Sequence, residues 1–419
     1  MIGFMTSYRS RLIDKRIDRK LRSSGGVLIR GARQVGKTTT ALQHAASSVR
    51  LDEPNSRRLA ELDPSVILDG ATPRLIDEWQ VVPQVWNAVR HEIDSRQTKG
   101  QFILTGSATP TDDVTRHSGA GRIARMTLRP MSLSESDDST KKISFGSLWE
   151  DWDSGALGGP TVADYANLIV RGGWPSLVDL PTADAADALV DYVDNLSSVD
   201  LRALGSQPDP VRMTALLKAL ARNTSTEASV AKLATESQMD GPETSPQTVR
   251  KYLDQLTQVF VLDELTAWPV HLRSSIARRV KPKWHFVDPS LGAAALRATP
   301  DTLLGDLETL GLFFESLAIR DLRAYADTID ARVFHYRDSE GLEVDAIIER
   351  PDGAWAACEV KLGGDSSIEQ AATNMVRLQN RISVDKWSHC TSLNVITAGS
   401  TSYRRDDGIQ VIALGHLTV

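Results

Sequence analysis

Cysteine is almost missing from this 419-residue chain, which has only Cys358 and Cys390. Two cysteines are too few for a disulfide framework or a zinc cluster, and such sparing use fits a reducing cytoplasm. No apolar run reaches the length that crossing a bilayer requires, so no membrane partner is expected. From Met1 to Lys20, Arg, Lys and Asp alternate with isolated apolar residues, without the apolar centre of a signal peptide. An excess of basic charge is also lacking. With 48 Lys and Arg against 54 Asp and Glu the net charge is −6, which excludes a molecule-wide positive field for nucleic acid and leaves only local contacts. The eight histidines show no metal-ligand spacing, and no Ser-His-Asp set or nucleophilic cysteine can be argued from spacing.

What is present is ordinary in bulk. Hydrophobic residues make up 41% and charged residues 24%, as in soluble globular proteins, and the length suggests roughly two to four domains. There is no internal repeat. The stretches 137–142 (DDSTKK) and 154–160 (SGALGGP) are the most linker-like.

The informative stretch is Gly31-Ala32-Arg33-Gln34-Val35-Gly36-Lys37-Thr38, directly after the apolar run Val27-Leu28-Ile29. Glycines let backbone N–H groups close around phosphates, a lysine reaches the β and γ oxygens, and a hydroxyl holds Mg²⁺. Gly31 to Thr39 is thus expected to bind ATP, with Thr38 on the metal and a helix from Thr38 to Ser47; a ligand-free glycine turn is the plainer alternative. Before it, Leu12, Ile13, Ile17 and Leu21 fall near helical spacing, predicting an amphipathic helix beside the nucleotide. After it, Pro64 breaks a helical reading.

About forty residues on, Arg74-Leu75-Ile76-Asp77-Glu78 is a short apolar strand ending in two acids. A strand-end carboxylate beside such a loop can hold Mg²⁺, and a second can orient or deprotonate water, roles assigned to Asp77 and Glu78. Gln101 to Ser107 predicts another buried strand, whose Thr105 or Ser107 either senses the γ-phosphate or simply ends a core strand. Strands alternating with helices predict a doubly wound parallel sheet with ligands at its carboxyl edge. Arg122, with Arg116 and Arg125 near it, is a candidate to stabilise phosphoryl charge, in this subunit or in a neighbour of a homo-oligomer; surface salt bridging is the alternative.

Taken together, GARQVGKTT, LDEP followed by LAELDP, LIDEWQ, FILTGSA, GAGRI and LRPMSLSE resemble the AAA-type ATPases of bacteria and archaea that carry a C-terminal domain of unknown function. The resemblance covers most of residues 8–135. It implies a parallel-sheet α/β ATPase core, Lys37 and Thr38 on nucleotide and Mg²⁺, and Asp77 with Glu78 as the acidic pair. Ala32 departs from the proline frequent in relatives and touches only loop rigidity. Arg171-Gly172-Gly173-Trp174-Pro175, within a region 145–205 expected to be helical, is similar to a turn of the same family; packing of Trp174 is the reading adopted.

Residues 211–266 read as helices over Thr214–Leu220, Ser229–Glu236 and Ser245–Leu256, then a strand from Val259 to Leu265. This order resembles a winged helix-turn-helix with Thr248, Arg250 and Lys251 on the recognition helix; a helical packing module is the alternative. Arg273, Arg278, Arg279, Lys281 and Lys283 form the densest positive run and either touch phosphates or are solvated.

In the last third, Leu307 to Tyr325 reads as a helix carrying Glu315, followed by strands at Val333–Tyr336, Glu343–Ile348 and Trp355–Lys361. Side chains alternate along a strand, so Glu359 and Lys361 share a face; Asp345 on a neighbouring strand would bring two carboxylates and an amine together. That set serves a PD-(D/E)xK nuclease, with Asp345 and Glu359 on Mg²⁺, Lys361 orienting water and Glu315 completing the site. The C-terminal domain of the family above resembles this restriction-endonuclease-like fold, and all four positions are filled here. Either it cleaves DNA or RNA, or it binds without cutting. The expected division is 1–140 ATPase core, 141–205 helical connector, 206–270 winged-helix-like module and 271–419 nuclease-like domain.

Overall fold

The structure, a computed structural model, describes residues 8–107, 119–150, 155–196, 208–270 and 280–419. Its described residues fall into two units that meet between Arg129 and Pro130, with residues 258–260 grouped in the first. In the first unit, Ile17 and Leu21 are the buried positions of an otherwise charged helix, α1 (Asp14–Ser23). The apolar run then extends as β1 (Gly26–Arg30), and the glycine loop leads into α2 (Lys37–Leu42). β2 (Ser47–Arg50), α3 (Pro54–Leu62), β3 (Arg74–Asp77), α4 (Val85–Arg96), β4 (Phe102–Gly106) and β5 (Ile123–Thr127) follow.

All pairings are parallel, in the order β2-β3-β4-β1-β5. The middle strand β4 is buried at every position, as a parallel strand covered on both faces must be. Because every strand runs the same way, the loop after β1, Asp77 of β3 and Thr105 of β4 all reach one edge. Two strands lie outside the sequence reading. The helix expected to run to Ser47 stops at Leu42, and β2 begins at Ser47. Edge strand β2 carries one apolar residue, Val49, in four positions, too few for a periodic signal. β5 was hidden by its charged positions, with Arg125 exposed between buried Ile123 and Met126.

The second unit opens with β6 (Ile143–Ser144), β7 (Ala156–Leu157), α5 (Val162–Arg171), α6 (Thr182–Asn195), α7 (Pro210–Arg222), α8 (Val230–Ser237) and α9 (Pro246–Gln258). A hairpin of β8 (Leu262–Leu265) and β9 (Lys283–Phe286) follows, then α10 (Pro289–Leu296), α11 (Pro300–Leu304) and the long α12 (Leu307–Thr328). β10 (Arg332–Arg337), β11 (Glu343–Glu349), β12 (Trp355–Lys361), α13 (Asp365–Arg381), α14 (Val384–Trp387), β13 (Cys390–Thr397), β14 (Thr401–Arg404), β15 (Gln410–Ala413) and β16 (Leu417–Thr418) complete it. Seven strands form one mixed sheet in the order β10-β11-β12-β13-β15-β14-β7. Ile347, Trp355 and Val395 of that sheet pack with Ala371, Met375 and Leu378 of α13 in a single apolar core.

The helices α7, α8 and α9 and the strand after them lie where the sequence predicts. The connector does not stay wholly helical: Ile143–Ser144 pairs with Leu417–Thr418, and Ala156–Leu157 extends the large sheet beside β14. Two-residue strands have no readable period, so only the partner reveals them. A boundary at residue 270 would also divide the β8–β9 hairpin, and the expected edge of the first domain at 140 moves to Arg129. Leu307 is 60% exposed because it opens α12 next to its Asp306 cap. Trp174 is buried, with its indole N–H donating to Ser290 Oγ at 3.0 Å, so packing was the right reading of that turn. Cys358 is a buried free thiol pushed up to about 12 by burial, and Cys390 is also free. Among the described residues, no helix is long and apolar enough to cross a membrane.

A buried charge network ties this unit together. Arg320 of α12 donates to Asp288 at 2.7 Å and to Asp321 at 2.7 and 2.8 Å. Asp288 also accepts the Gly173 N–H at 3.1 Å, and Asp321 the Leu133 N–H at 3.0 Å. Burying such a set yields little net stability, but removing one partner strands the others. Arg320→Met is therefore expected to cost about 3–5 kcal/mol in urea unfolding of the second unit. A loss below about 1 kcal/mol would show that the two carboxylates are satisfied without the guanidinium.

Candidate functional site

The glycine loop closes tightly because the backbone leaves no room for side chains. A Cβ on Gly31 would lie 2.2 Å from the Leu128 carbonyl oxygen, and Gly36 has φ +90°. Gln34 also adopts positive φ, and Arg33, Gln34 and Thr39 are exposed, whereas Ala32 and Val35 are fully buried. Lys37 is 5% exposed and folds back over the loop, donating to the carbonyls of Gly31 at 3.1 Å and Ala32 at 2.8 Å. Thr38 Oγ1 donates to Asp77 Oδ1 at 2.8 Å, and Thr105 Oγ1 donates to the same oxygen. The structure thus brings Lys37, Thr38, Asp77 and Thr105 to one edge of the sheet. Asp77 is 1% exposed, a burial that a carboxylate tolerates only when hydrogen bonds replace its water.

Glu78 sits half-buried beside this set in the left-handed region, φ +54°, a conformation that costs a residue bearing a Cβ. Its Oε2 accepts the Gln80 side-chain N–H and lies 3.5 Å from Ser107 Oγ. Gln80 and Arg50 are two residues that the sequence reading missed. Arg50 stands opposite Asp77 in the β2–β3 register, with Nε 3.8 Å from Asp77 Oδ2 and Nη2 2.9 Å from Asp52. The WQ after the acids in LIDEWQ was the available signal for Gln80. Arg50 had none, because β2 itself was not readable.

Arg122 does not join this edge. Its carbonyl accepts from Gly26 at the start of β1, the opposite end of the sheet, and its guanidinium pairs with Asp94 at 2.6 Å. Parallel strands about five residues long separate it from the loop by roughly 16 Å. Arg125 lies over the Trp86 ring at 5.8 Å, and Arg116 falls outside the described residues.

The segment before α1 braces the loop. Arg11 donates to Val35 O at 2.9 Å and to Arg129 O at 2.8 Å. Just past α2, His44 contacts Asp14 at 3.2 Å and Asp18 at 2.7 Å. The hydrogen bond to Asp14, then Asp18, raises the His44 pKa against the opposing effect of burial. The folded chain therefore holds this proton more tightly than the unfolded chain does. The pairing stabilises fully below the ordinary histidine pKa of about 6.5 and is lost as pH rises through the elevated value. His44→Gln is expected to lower stability at pH 6 by about 0.5–1 kcal/mol and by much less at pH 9, measured by denaturant titration. An equal loss at both pH values would rule out the charged pairing.

A second cluster lies in the second unit. α12 supplies Glu315, β11 supplies Glu343 and Asp345, and β12 supplies Glu359 and Lys361. The last antiparallel pair along β11 and β12 is Ala346 with Cys358, which leaves Asp345 and Glu359 side by side just beyond it. Lys361 Nζ lies 2.9 Å from Glu359 Oε2 and 3.6 Å from Asp345 Oδ2. All four sequence-predicted residues meet. They line a cavity of about 410 Å³ together with Arg337, Asn374 and Arg377.

The unexpected member is Lys283. Expected in an exposed positive run, it is 2% exposed, and its ammonium lies 2.7 Å from Glu343, 2.9 Å from Glu315 and 3.3 Å from Asp345. Lys281 remains exposed, and Arg273, Arg278 and Arg279 lie outside the described residues. Burial would drive the Lys283 pKa down, but Glu315, Asp345 and Glu343 more than reverse this. Burial, and then Asp345, pushes Glu315 and Glu359 up to about 8. Burial acts the same way on Asp345, yet Lys283 and Lys361 hold it below the usual carboxylate range. Lys283, Glu343 and Asn374 were missed because nothing in KPKWHF, far from α12 and β11 in sequence, points to carboxylates. On α9, Arg250 and Lys251 are exposed, while Thr248 is half-buried and bonded to Ser245.

Residues 23–136 match the family model described as an AAA domain, residues 162–302 a domain of unknown function (DUF8612), and residues 310–417 another (DUF4143). Uncharacterized proteins of Mycobacterium bovis and Mycobacterium tuberculosis are each 27% identical over 349 residues, covering 81% of this chain and 71% of theirs. The Walker-type ATPase of Pyrococcus abyssi aligns with a TM-score of 0.44 at 13% identity, over 69% of this chain and 96% of that chain. The Orc1 protein of Aeropyrum pernix in complex with DNA aligns at 0.27 and 12% identity, over 70% of this chain and 93% of that one. Residues 23–136, with their five parallel strands, glycine loop and strand-end acid, therefore form a P-loop NTPase domain of the AAA type.

Proposed function

We propose that this chain is a Mg²⁺-dependent ATPase whose nucleotide state controls a C-terminal, nuclease-like domain that contacts DNA or RNA. The observation that carries the ATPase half is the meeting of Lys37, Thr38, Asp77 and Thr105 at the carboxyl edge of a parallel sheet. The donor set fits a hydrated Mg²⁺, since a hydroxyl and a carboxylate oxygen lie 2.8 Å apart at the mouth of the loop. Mg²⁺ held there would neutralise phosphate charge.

The chain's own groups do the rest. The Lys37 ammonium exchanges the Gly31 and Ala32 carbonyls for the β and γ oxygens of ATP. Thr105 fixes the Asp77 carboxylate, acting as a positioning residue. Glu78, held by Gln80 and Ser107, orients the attacking water and takes its proton. Arg122 serves this chemistry only from a neighbouring subunit of a homo-oligomer.

For the second unit, support comes from Glu315, Asp345, Glu359 and Lys361 lining one cavity, as the nuclease resemblance requires. Exposed Arg250 and Lys251 on α9, ahead of the β8–β9 hairpin, support nucleic-acid contact by a winged-helix-like module. A second reading, binding without cutting, is favoured by the ammonium of Lys283 inside the carboxylate cluster.

Matched ATPase and nuclease assays on the full chain test this function. Lys37→Ala is expected to abolish ATP binding, and Glu78→Gln to retain binding while slowing turnover by roughly 10²–10⁴-fold. Unchanged phosphate release in both variants would refute the ATPase. Asp345→Ala separates the readings of the second unit: loss of Mg²⁺-dependent cleavage supports the nuclease, whereas nucleic-acid binding with no cleavage in either protein supports the second.

A further inference from the structure

We propose that Lys283 is the resident cation of the C-terminal carboxylate cluster, standing where the nuclease reading would put a divalent metal, so that the native site takes none. This inference rests on reading the domain as nuclease-like and decides how that site differs from a metal-loaded one.

Three carboxylates from two elements converge on one nitrogen, Glu315 at 2.9 Å, Glu343 at 2.7 Å and Asp345 at 3.3 Å. These are hydrogen-bond lengths to an ammonium, longer than the roughly 2.0–2.6 Å that Mg²⁺ or Ca²⁺ requires of oxygen ligands. Three further oxygens of the cluster are engaged as well. Asp345 Oδ2 accepts the Val360 N–H at 2.9 Å, Glu359 Oε2 accepts from Lys361 at 2.9 Å, and Glu359 Oε1 accepts from Asn374 at 3.4 Å. Among the described residues, no group of three or more His, Cys, Asp or Glu is arranged to hold a metal ion. The residues present therefore do not fit the metal that the fold resemblance implies.

The nitrogen also arrives from outside the carboxylates' own sheet. Lys283 opens β9, opposite Leu265 in the β8–β9 hairpin, while its partners stand on α12 and β11. At 2% exposure the ammonium has exchanged its water for these acids, which a lysine does only where negative charge compensates it. A divalent ion entering the same cage would meet a fixed positive charge in contact with its ligands. Neutralising Lys283 leaves the same acids, with Lys361 beside Asp345 and Glu359 and Arg337 3.7 Å from Glu343 to balance them.

Mn²⁺ titration of the nucleotide-free full chain, followed by electron paramagnetic resonance of free Mn²⁺, tests the assignment. Wild type and Asp345→Asn are expected to bind Mn²⁺ alike. Lys283→Met is expected to gain one site at least tenfold tighter, which Asp345→Asn in the same background removes. If Asp345→Asn alone weakens Mn²⁺ binding by the native chain, or folded Lys283→Met gains no site, the assignment is wrong. The native comparison needs no Lys283 variant, and Lys283→Gln serves if the Met variant does not fold. A gained site without any nucleic-acid binding supports the resident cation while overturning the nucleic-acid reading of the domain.

Discussion

A carboxylate leaves water only when donors replace it, and Asp77 shows how much follows from that. Two hydroxyls, from Thr38 after the glycine loop and Thr105 of the central strand, donate to one oxygen of an almost wholly buried acid. They can do so only if β3 and β4 are neighbours and β1 lies directly beyond, which is the observed order. The loop, the acid and the hydroxyl strand are thus held in register by a single satisfied charge. Lys37 fits the same scheme, satisfied by loop carbonyls.

The second unit solves a harder version of the problem by internal pairing. Arg320 is enclosed by Asp288 and Asp321, and Lys283 by Glu315, Glu343 and Asp345. The first set joins α12 to segments distant in sequence. The second lines an open cavity, and there the same physics sets the site's chemistry. A lysine there makes the burial of three acids tolerable.

Much of this was legible beforehand where local pattern and local structure coincide. Val27 to Ile29 followed by GARQVGKT reads as strand, loop and helix because each element is specified by adjacent residues. The same holds for α12 and for β10 to β12, whose apolar periods are long enough to count. β2, β6 and β7 were not legible, since two to four residues carry no period and are strands only because a partner lies alongside. Arg122 was misleading for a related reason: its closeness to the core motifs in sequence says nothing about which end of a parallel sheet it occupies.

By itself the sequence determined the nucleotide loop, the acidic strand end and the four positions of the C-terminal set, because residue type and short spacing carry that chemistry. Only the tertiary structure decided that Thr105 serves Asp77, that Arg122 stands at the far end, and that Lys283 enters the acids. The reason is physical. Spacing along a chain reports what a segment can do, whereas the charge of a site depends on which distant segments fold into contact and lose their water together.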